Sequence, residues 1–327
     1  MLIKLSIMNR ILSFTRLKAF SLSLFSVLLF SACDKMPPLP DKEDPKTIFE
    51  TIATDKRFQL LTAAVAKAGL IQTLNDKKAN LTLFAPTDDA FKAAGFRTPG
   101  DLAKVPEDAL KALLLYHVLG TEVKSSQIPQ AANTEVNTVA NKPIFVTRNS
   151  SNRVFVNGVS VIQKDLDCTN GVIHVLNRVL LPATGTIVQT AVGNPNLSYL
   201  VAAVLRASQG AVNVAEVLSS AGPFTVFAPT NNAFMQAGFP TIASLQAADP
   251  AALTPILTYH VIPARVFSSD LVNNSTPGTV NGGTVTITLT GGPKVKGNSN
   301  TVPSNIIATD ILATNGVVHV IDRVLLP

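Results

Sequence analysis

The chain has 327 residues, enough for two domains that each bury their own core. Hydrophobic residues make up 46% and charged residues only 15%, a composition that excludes an intrinsically disordered chain. Four basic residues (Lys4, Arg10, Arg16, Lys18) and no acid lie in residues 1–32, so the net charge of +6 falls to +2 without them, too little for a nucleic-acid-binding surface.

The N-terminus has the three parts of a secretory signal: a basic stretch ending at Lys18, an apolar run from Ala19 to Phe30, and the small pair Ser31-Ala32 before Cys33. The run is shorter than the roughly 20 residues of a membrane-spanning helix. Phe30-Ser31-Ala32-Cys33 resembles the lipobox of bacterial lipoproteins, with Phe where Leu is usual. The resemblance implies cleavage before Cys33, acylation of Cys33, and anchorage in the outer membrane on its periplasmic side or at the cell surface. A plain signal peptide cut elsewhere is the alternative. Residues 33–46, with Pro37, Pro38, Pro40 and Pro45, read as a proline-rich tether holding the first domain roughly 30–40 Å from the lipid. With Cys33 acylated, Cys168 stands alone, so neither a disulfide nor a cysteine metal site is expected.

Self-similarity organises the rest. Leu81-Thr-Leu-Phe-Ala-Pro-Thr-Asp-Asp-Ala-Phe91 recurs as Phe224-Thr-Val-Phe-Ala-Pro-Thr-Asn-Asn-Ala-Phe234, and Tyr116-His117-Val118 recurs as Tyr259-His260-Val261. Asn170-Gly-Val-Ile-His-Val-Leu-Asn-Arg-Val-Leu-Leu-Pro182 recurs at Asn315–Pro327 with ten of its thirteen positions identical. A repeat this long is a complete domain rather than a solenoid unit. The boundaries are 47–182 and 183–327, and the short join predicts a fixed arrangement of the two units.

Within a repeat, Thr82–Ala85 reads as a buried strand stopped by Pro86, and Thr87 as the N-cap of a helix whose first turn holds Asp88 and Asp89. Thr230, Asn231 and Asn232 take these places in the second copy. Pro106 suits the first helical position, and Leu110, Leu113, Leu114 and His117 share one helix face, as do Leu253, Ile256, Leu257 and His260. Pro255 is expected to shorten the second of these helices. Asn170-Gly171 and Asn315-Gly316 signal tight turns, each followed by a strand apolar on both faces and therefore central. Thr284–Leu289 alternates as a strand with one face in water. Helices early and strands late in each repeat indicate an α+β fold.

All four histidines fall in the duplicated blocks, on apolar helix faces (His117, His260) or inside apolar strands (His174, His319). They read as core residues holding hydrogen bonds, because no His-x-x-x-His spacing, Gly-x-Ser-x-Gly elbow or glycine-rich phosphate loop accompanies them. No catalytic residue, metal or cofactor is expected. An absence of Trp and only three Tyr argue against a lectin-like pocket. Lys77, Lys78, Lys92, Lys104 and Lys111 could still draw an anionic polysaccharide to the first repeat.

The Thr-x-Phe-Ala-Pro-Thr-x-x-Ala-Phe block, the Tyr-His pair and the Asn-Gly-Val-x-His-Val block together resemble the signature segments of fasciclin (FAS1) domains, in both copies and in order. The resemblance implies two wedge-shaped β-sandwiches with packed helices, and adhesion to proteins or matrix glycans at a cell surface. It also implies partner binding through Tyr116, His117, Tyr259, His260 and an Asp-Ile motif, Asp310-Ile311. The first repeat has Asp165-Leu166 at the last of these. The expected function is thus a membrane-anchored adhesion or matrix-interaction protein; the alternative is an envelope lipoprotein that captures or associates with a polysaccharide.

Overall fold

The computed structural model describes residues 45–327. The expected signal peptide, the anchor Cys33 and the tether up to residue 44 lie outside the described residues. The first domain opens with helices Ile48–Thr54, Gln59–Lys67 and Ile71–Asn75, followed by β1 (Leu81–Pro86) and helices Asp88–Ala93, Pro99–Ala103 and Glu107–Leu115. Strands β2 (Val118–Leu119), β3 (Thr134–Asn137), β4 (Pro143–Arg148), β5 (Val154–Val156), β6 (Val159–Cys168) and β7 (Gly171–Leu176) complete it. The second domain repeats the plan with β8 (Phe224–Pro229), β9 (Val261–Ile262), β10 (Thr286–Thr288), β11 (Lys294–Lys296), β12 (Ser304–Ala313) and β13 (Gly316–Ile321).

The strand orders are β2-β1-β7-β6-β5-β4-β3 and β10-β11-β12-β13-β8-β9. In each sheet the last strand returns beside the first as a parallel central pair, β1 with β7 and β8 with β13, while the other pairings are antiparallel. Every residue of β7 and β13 is buried, as two apolar faces require. Leu83, Ala85, Ile173 and Val175 face the helices, whereas Phe84 and Leu176 face Ile144, Val146, Val154 and Val156 across the curled sheet. The second domain has the same two cores. The fold is α+β: two tandem units, each a sheet curled into a sandwich with helices along one side.

The strand-to-helix corner follows the local chemistry. Thr87 accepts from the Ala90 N–H at 3.2 Å and Thr230 from the Ala233 N–H at 3.2 Å. The next residue caps a different helix: Asp88 accepts from the Leu60 N–H (2.8 Å) and Asn231 from the Tyr199 N–H (3.0 Å). An acceptor oxygen suffices there, which is why Asp and Asn exchange between copies.

Two expectations need correction. The helix containing Pro255 is not shortened but runs over Pro250–Tyr259, because the proline sits on the exposed side, where water can satisfy the carbonyl it leaves free. Pro106 is an N-cap rather than the first helical residue. Of Thr284–Leu289, only Thr286–Thr288 joins the ladder, although Val285 and Ile287 are buried and the intervening threonines half-exposed, as the alternation predicts.

Candidate functional site

The Tyr-His pairs lie inside the molecule. Tyr116 is 0% exposed, donates its hydroxyl proton to the Pro143 carbonyl (3.0 Å) and accepts from the Asn157 amide (2.9 Å); burial pushes its pKa up to about 12. His117 donates from Nδ1 to the Leu113 carbonyl (2.8 Å) and accepts at Nε2 from the Leu180 N–H (2.9 Å). His260 repeats this with the Ile256 carbonyl and the Leu325 N–H, both at 2.8 Å. Tyr259 donates to the Thr284 carbonyl and accepts from the Asn298 N–H at 3.0 Å. Burial lowers the pKa of both histidines to about 4, against a smaller opposing effect of their backbone bonds. Each histidine thus ties the end of a helix to the segment that follows its domain's last strand. Tyr116, His117, Tyr259 and His260, for which the resemblance implies a surface contact, are each no more than 1% exposed in this structure.

His174 and His319 do a second structural job. His174 donates from Nε2 to the Val123 carbonyl (2.9 Å) and accepts at Nδ1 from the Asp165 N–H (3.3 Å); His319 does the same with Val266 (2.9 Å) and Asp310 (3.2 Å). Asp165 and Asp310 occupy left-handed conformations, φ 58° and 64°, at bulges of β6 and β12. Ser125 holds Asp165 through its N–H (2.7 Å) and hydroxyl, and Ser268 holds Asp310 through the same groups at 2.6 and 2.5 Å. Burial alone would raise the Asp165 pKa, but the Ser125 bonds outweigh it and hold the carboxyl below its usual range. The two aspartates are structural equivalents, despite Leu166 standing where the second copy has Ile311.

What distinguishes them is their surroundings. Asp310 lies where the two domains meet: its side chain is 2% exposed and accepts from the Arg178 guanidinium at 3.1 Å. A Cβ on Gly158, at φ +77°, would come within 2.5 Å of the Asp310 carboxyl, so only glycine admits it. Alongside, the Arg265 guanidinium lies 3.9 Å from the centre of the Phe145 ring, which packs against Phe267 at 6.1 Å. Asn133 donates to the Arg265 carbonyl at 2.7 Å, and Thr147 to Asp270 at 3.2 Å. A cleft of about 390 Å³ follows this contact, lined by Ala90, Ala94, Arg178, Leu181, Asp310 and Ile311 among others. Phe145→Ala should loosen the contact by about 2 kcal/mol and separate the domains' unfolding into two calorimetric transitions; a profile identical to wild type would show the domains are not energetically coupled there.

A smaller concavity in the second domain, about 100 Å³, is walled by aliphatic side chains and by His260, both of whose ring nitrogens are already used. It sits where Phe49, Ile52 and Ile71 of the first repeat are replaced by Val188, Ala191 and Ala215. Cys168 is half-buried, its sulfur 3.4 Å from the Thr51 hydroxyl. Among the described residues no group of three or more His, Cys, Asp or Glu side chains is placed to hold a metal ion.

Sequence reasoning missed the buried asparagines. Asn170 accepts from the Ile48 N–H (2.8 Å) and donates to the carbonyls of Leu74 and Asp76 (both 3.0 Å), and Asn315 makes the same three bonds with Ile187, Leu218 and Ser220. The Asn-Gly turn signal locates them but gives no hint of these partners.

The profile of the Fasciclin domain family matches residues 56–182 and 196–327. Protein sll1483 of Synechocystis is 41% identical over 154 residues, covering 47% of this chain and 79% of its own. Transforming growth factor-beta-induced protein ig-h3 of Sus scrofa is 27% identical over 249 residues, 76% of this chain, which spans only about a third (35%) of that longer protein. Among solved structures, the FAS1 domain pair from the insect cell adhesion molecule Fasciclin I matches 85% of this chain and 96% of its own, at 19% identity and a TM-score of 0.40. With both matched regions coinciding with the two folded repeats, the chain belongs to the fasciclin domain family.

Proposed function

We propose that this chain is a membrane-anchored, non-enzymatic protein of the bacterial cell envelope that binds macromolecules, in adhesion or matrix association, through the outer faces of its two fasciclin domains. The observation that carries the reading is the spent state of the signature residues. All four histidines and two of the three tyrosines hold backbone groups inside the cores, which leaves recognition to the exterior. The sequence around Cys33 supports a lipid anchor in the outer membrane, and the family resemblance supports adhesion.

Deleting the protein should reduce attachment of cells to matrix polymer or to each other. The wild-type chain should restore it, and Cys33→Ser, which removes the acylated thiol, should not. Protease shaving of intact cells separates surface display from a periplasmic location. Attachment unchanged by deletion, with no binding by purified protein to itself, matrix or glycoprotein, would sink the reading. Affinity for a defined glycan that disappears when Lys77, Lys78 and Lys92 are reversed in charge would replace adhesion with polysaccharide association.

A further inference from the structure

The contact between the domains has two halves: the Asp310-Ile311 bulge of β12, and a socket on the first domain lined by Ala90, Ala94, Arg178, Val179 and Leu181. Duplication gives each domain a copy of both halves. The second domain carries the socket again as a concavity of about 160 Å³ lined by Ala233, Ala237, Arg323, Val324 and Leu326, the repeat equivalents of those five residues one by one. The first domain carries the bulge again at Asp165-Leu166, with the same left-handed backbone and the same serine clamp. The hydrogen bonds of Asp165 all stay within its own domain. One bulge and one socket are therefore unpaired among the described residues.

The faces around them differ from the paired ones in complementary directions. Arg265, Phe267 and Leu312, beside the paired bulge, correspond to Glu122, Lys124 and Asp167 beside the free one. With Asp165 this makes three acids; Lys124 lies 2.9 Å from Asp167 and 3.9 Å from Glu122, Arg148 donates to the Ser125 carbonyl at 3.2 Å, and Lys164 is turned to the Asn152 carbonyl. On the socket side, the strand registers equate Phe145, Phe155 and Asn157 with Thr286, Lys294 and Lys296. With Arg323 the free socket face carries three cations, while neighbouring Asp322 is bonded to Asn305 and Ser304 of its own domain.

We propose that the free Asp165-Leu166 bulge of one copy docks into the free Arg323 socket of the next, joining chains head to tail. Arg323 then meets Asp165 as Arg178 meets Asp310, and Lys296 faces Glu122. Such an interface is heterologous, so repetition gives a ring or an open line rather than a closed two-fold dimer. Because Thr286, Glu122 and Lys124 stand where the Phe145–Arg265–Phe267 stack would be, the contact is weaker than the interdomain one and screened by salt. It stands independently of the adhesion reading, since it needs neither an anchor nor a foreign ligand.

Sedimentation velocity on the full chain in mild detergent tests this. Wild type should associate at low ionic strength and dissociate as salt rises. Glu122→Lys, and separately the pair Lys296→Glu with Arg323→Glu, should each weaken association about tenfold with unchanged circular dichroism. Glu122→Lys with Lys296→Glu in one chain should restore it, which a merely structural effect would not do, whereas Arg323→Glu, facing the unchanged Asp165, should not be rescued by Glu122→Lys. A wild type that stays monomeric at low salt, or variants that associate as wild type does, would overturn the proposal.

Discussion

Lowering the pH from 7 to 4 should cost the folded chain about 6 kcal/mol, roughly 3 from each of His117 and His260. Both are about 1% exposed, and burial holds their pKa near 4 against an ordinary 6.5. The sign follows from which state takes up protons. Below pH 6.5 the unfolded chain binds a proton at each histidine while the folded chain refuses it, so stability is full above 6.5 and falls until about pH 4. His174 and His319 are shifted the same way by burial, partly opposed by their backbone bonds and by Asp165 and Asp310, and add to the same window. Asp165, held low, loses its contribution only below the ordinary carboxylate range, so the interval from 6.5 to 4.5 isolates the histidines. Urea unfolding at half-unit steps should show a slope of about 1.4 kcal/mol per pH unit for each histidine. His117→Gln should flatten the slope by one proton while costing about 1–3 kcal/mol at neutral pH through the Leu113 and Leu180 groups it leaves poorly paired. Stability constant across that interval would show that the histidines are solvated in the folded protein.

The same residues show how far the sequence could be read. His117 carried two incompatible signals: its place on a stripe with Leu110, Leu113 and Leu114, which points inward, and the family motif, which points to a partner. The helical stripe was the sounder guide, because spacing reports the side of a helix whereas a shared motif reports only that a residue type is retained. The strand of β7 was legible for a similar reason, since apolar residues on both faces have no solution except a central position. Asn170 was half legible. Asn-Gly marks the turn, but the bonding partners of Asn170 are up to 122 residues away and come together only in the finished core. The join between the domains was least legible. Arg178 and Asp310 are separated by 132 residues, and nothing local in either copy says which of two equivalent aspartates a second domain will cover. Only comparing the copies after folding reveals that Phe145 and Phe267 are the positions where the duplicates diverged to make a contact.

Gly171→Ala should unfold the first domain, at a cost above about 4 kcal/mol against a total domain stability of about 5–15 kcal/mol. Gly171 sits at φ +140°, and a Cβ there would stand 1.9 Å from the Leu81 carbonyl oxygen and 2.7 Å from the Leu81 nitrogen. Leu81 is the register partner of Gly171 in the parallel pair, and its N–H is bound to the Asn170 carbonyl at 3.0 Å. The obstruction is therefore backbone, which cannot swing aside as a side chain could. Moving β1 would carry Leu83 and Ala85 out of one core and Phe84 out of the other. Gly316 repeats the arrangement 2.0 Å from the Phe224 carbonyl oxygen, so Gly316→Ala should unfold the second domain in the same way. Gly95→Ala is the control: its φ is also positive, at +95°, but its Cβ would meet nothing within 4 Å, leaving only backbone strain of about 1–3 kcal/mol. Calorimetry with circular dichroism distinguishes the three, since Gly171→Ala should lose the heat of the first domain's unfolding while Gly95→Ala keeps the unfolding heat of both domains. A Gly171→Ala chain that melts with the wild type would mean that β1 and β7 are not paired in this register, and the placement of His174 and Asp165 on β7 and β6 would fall with it.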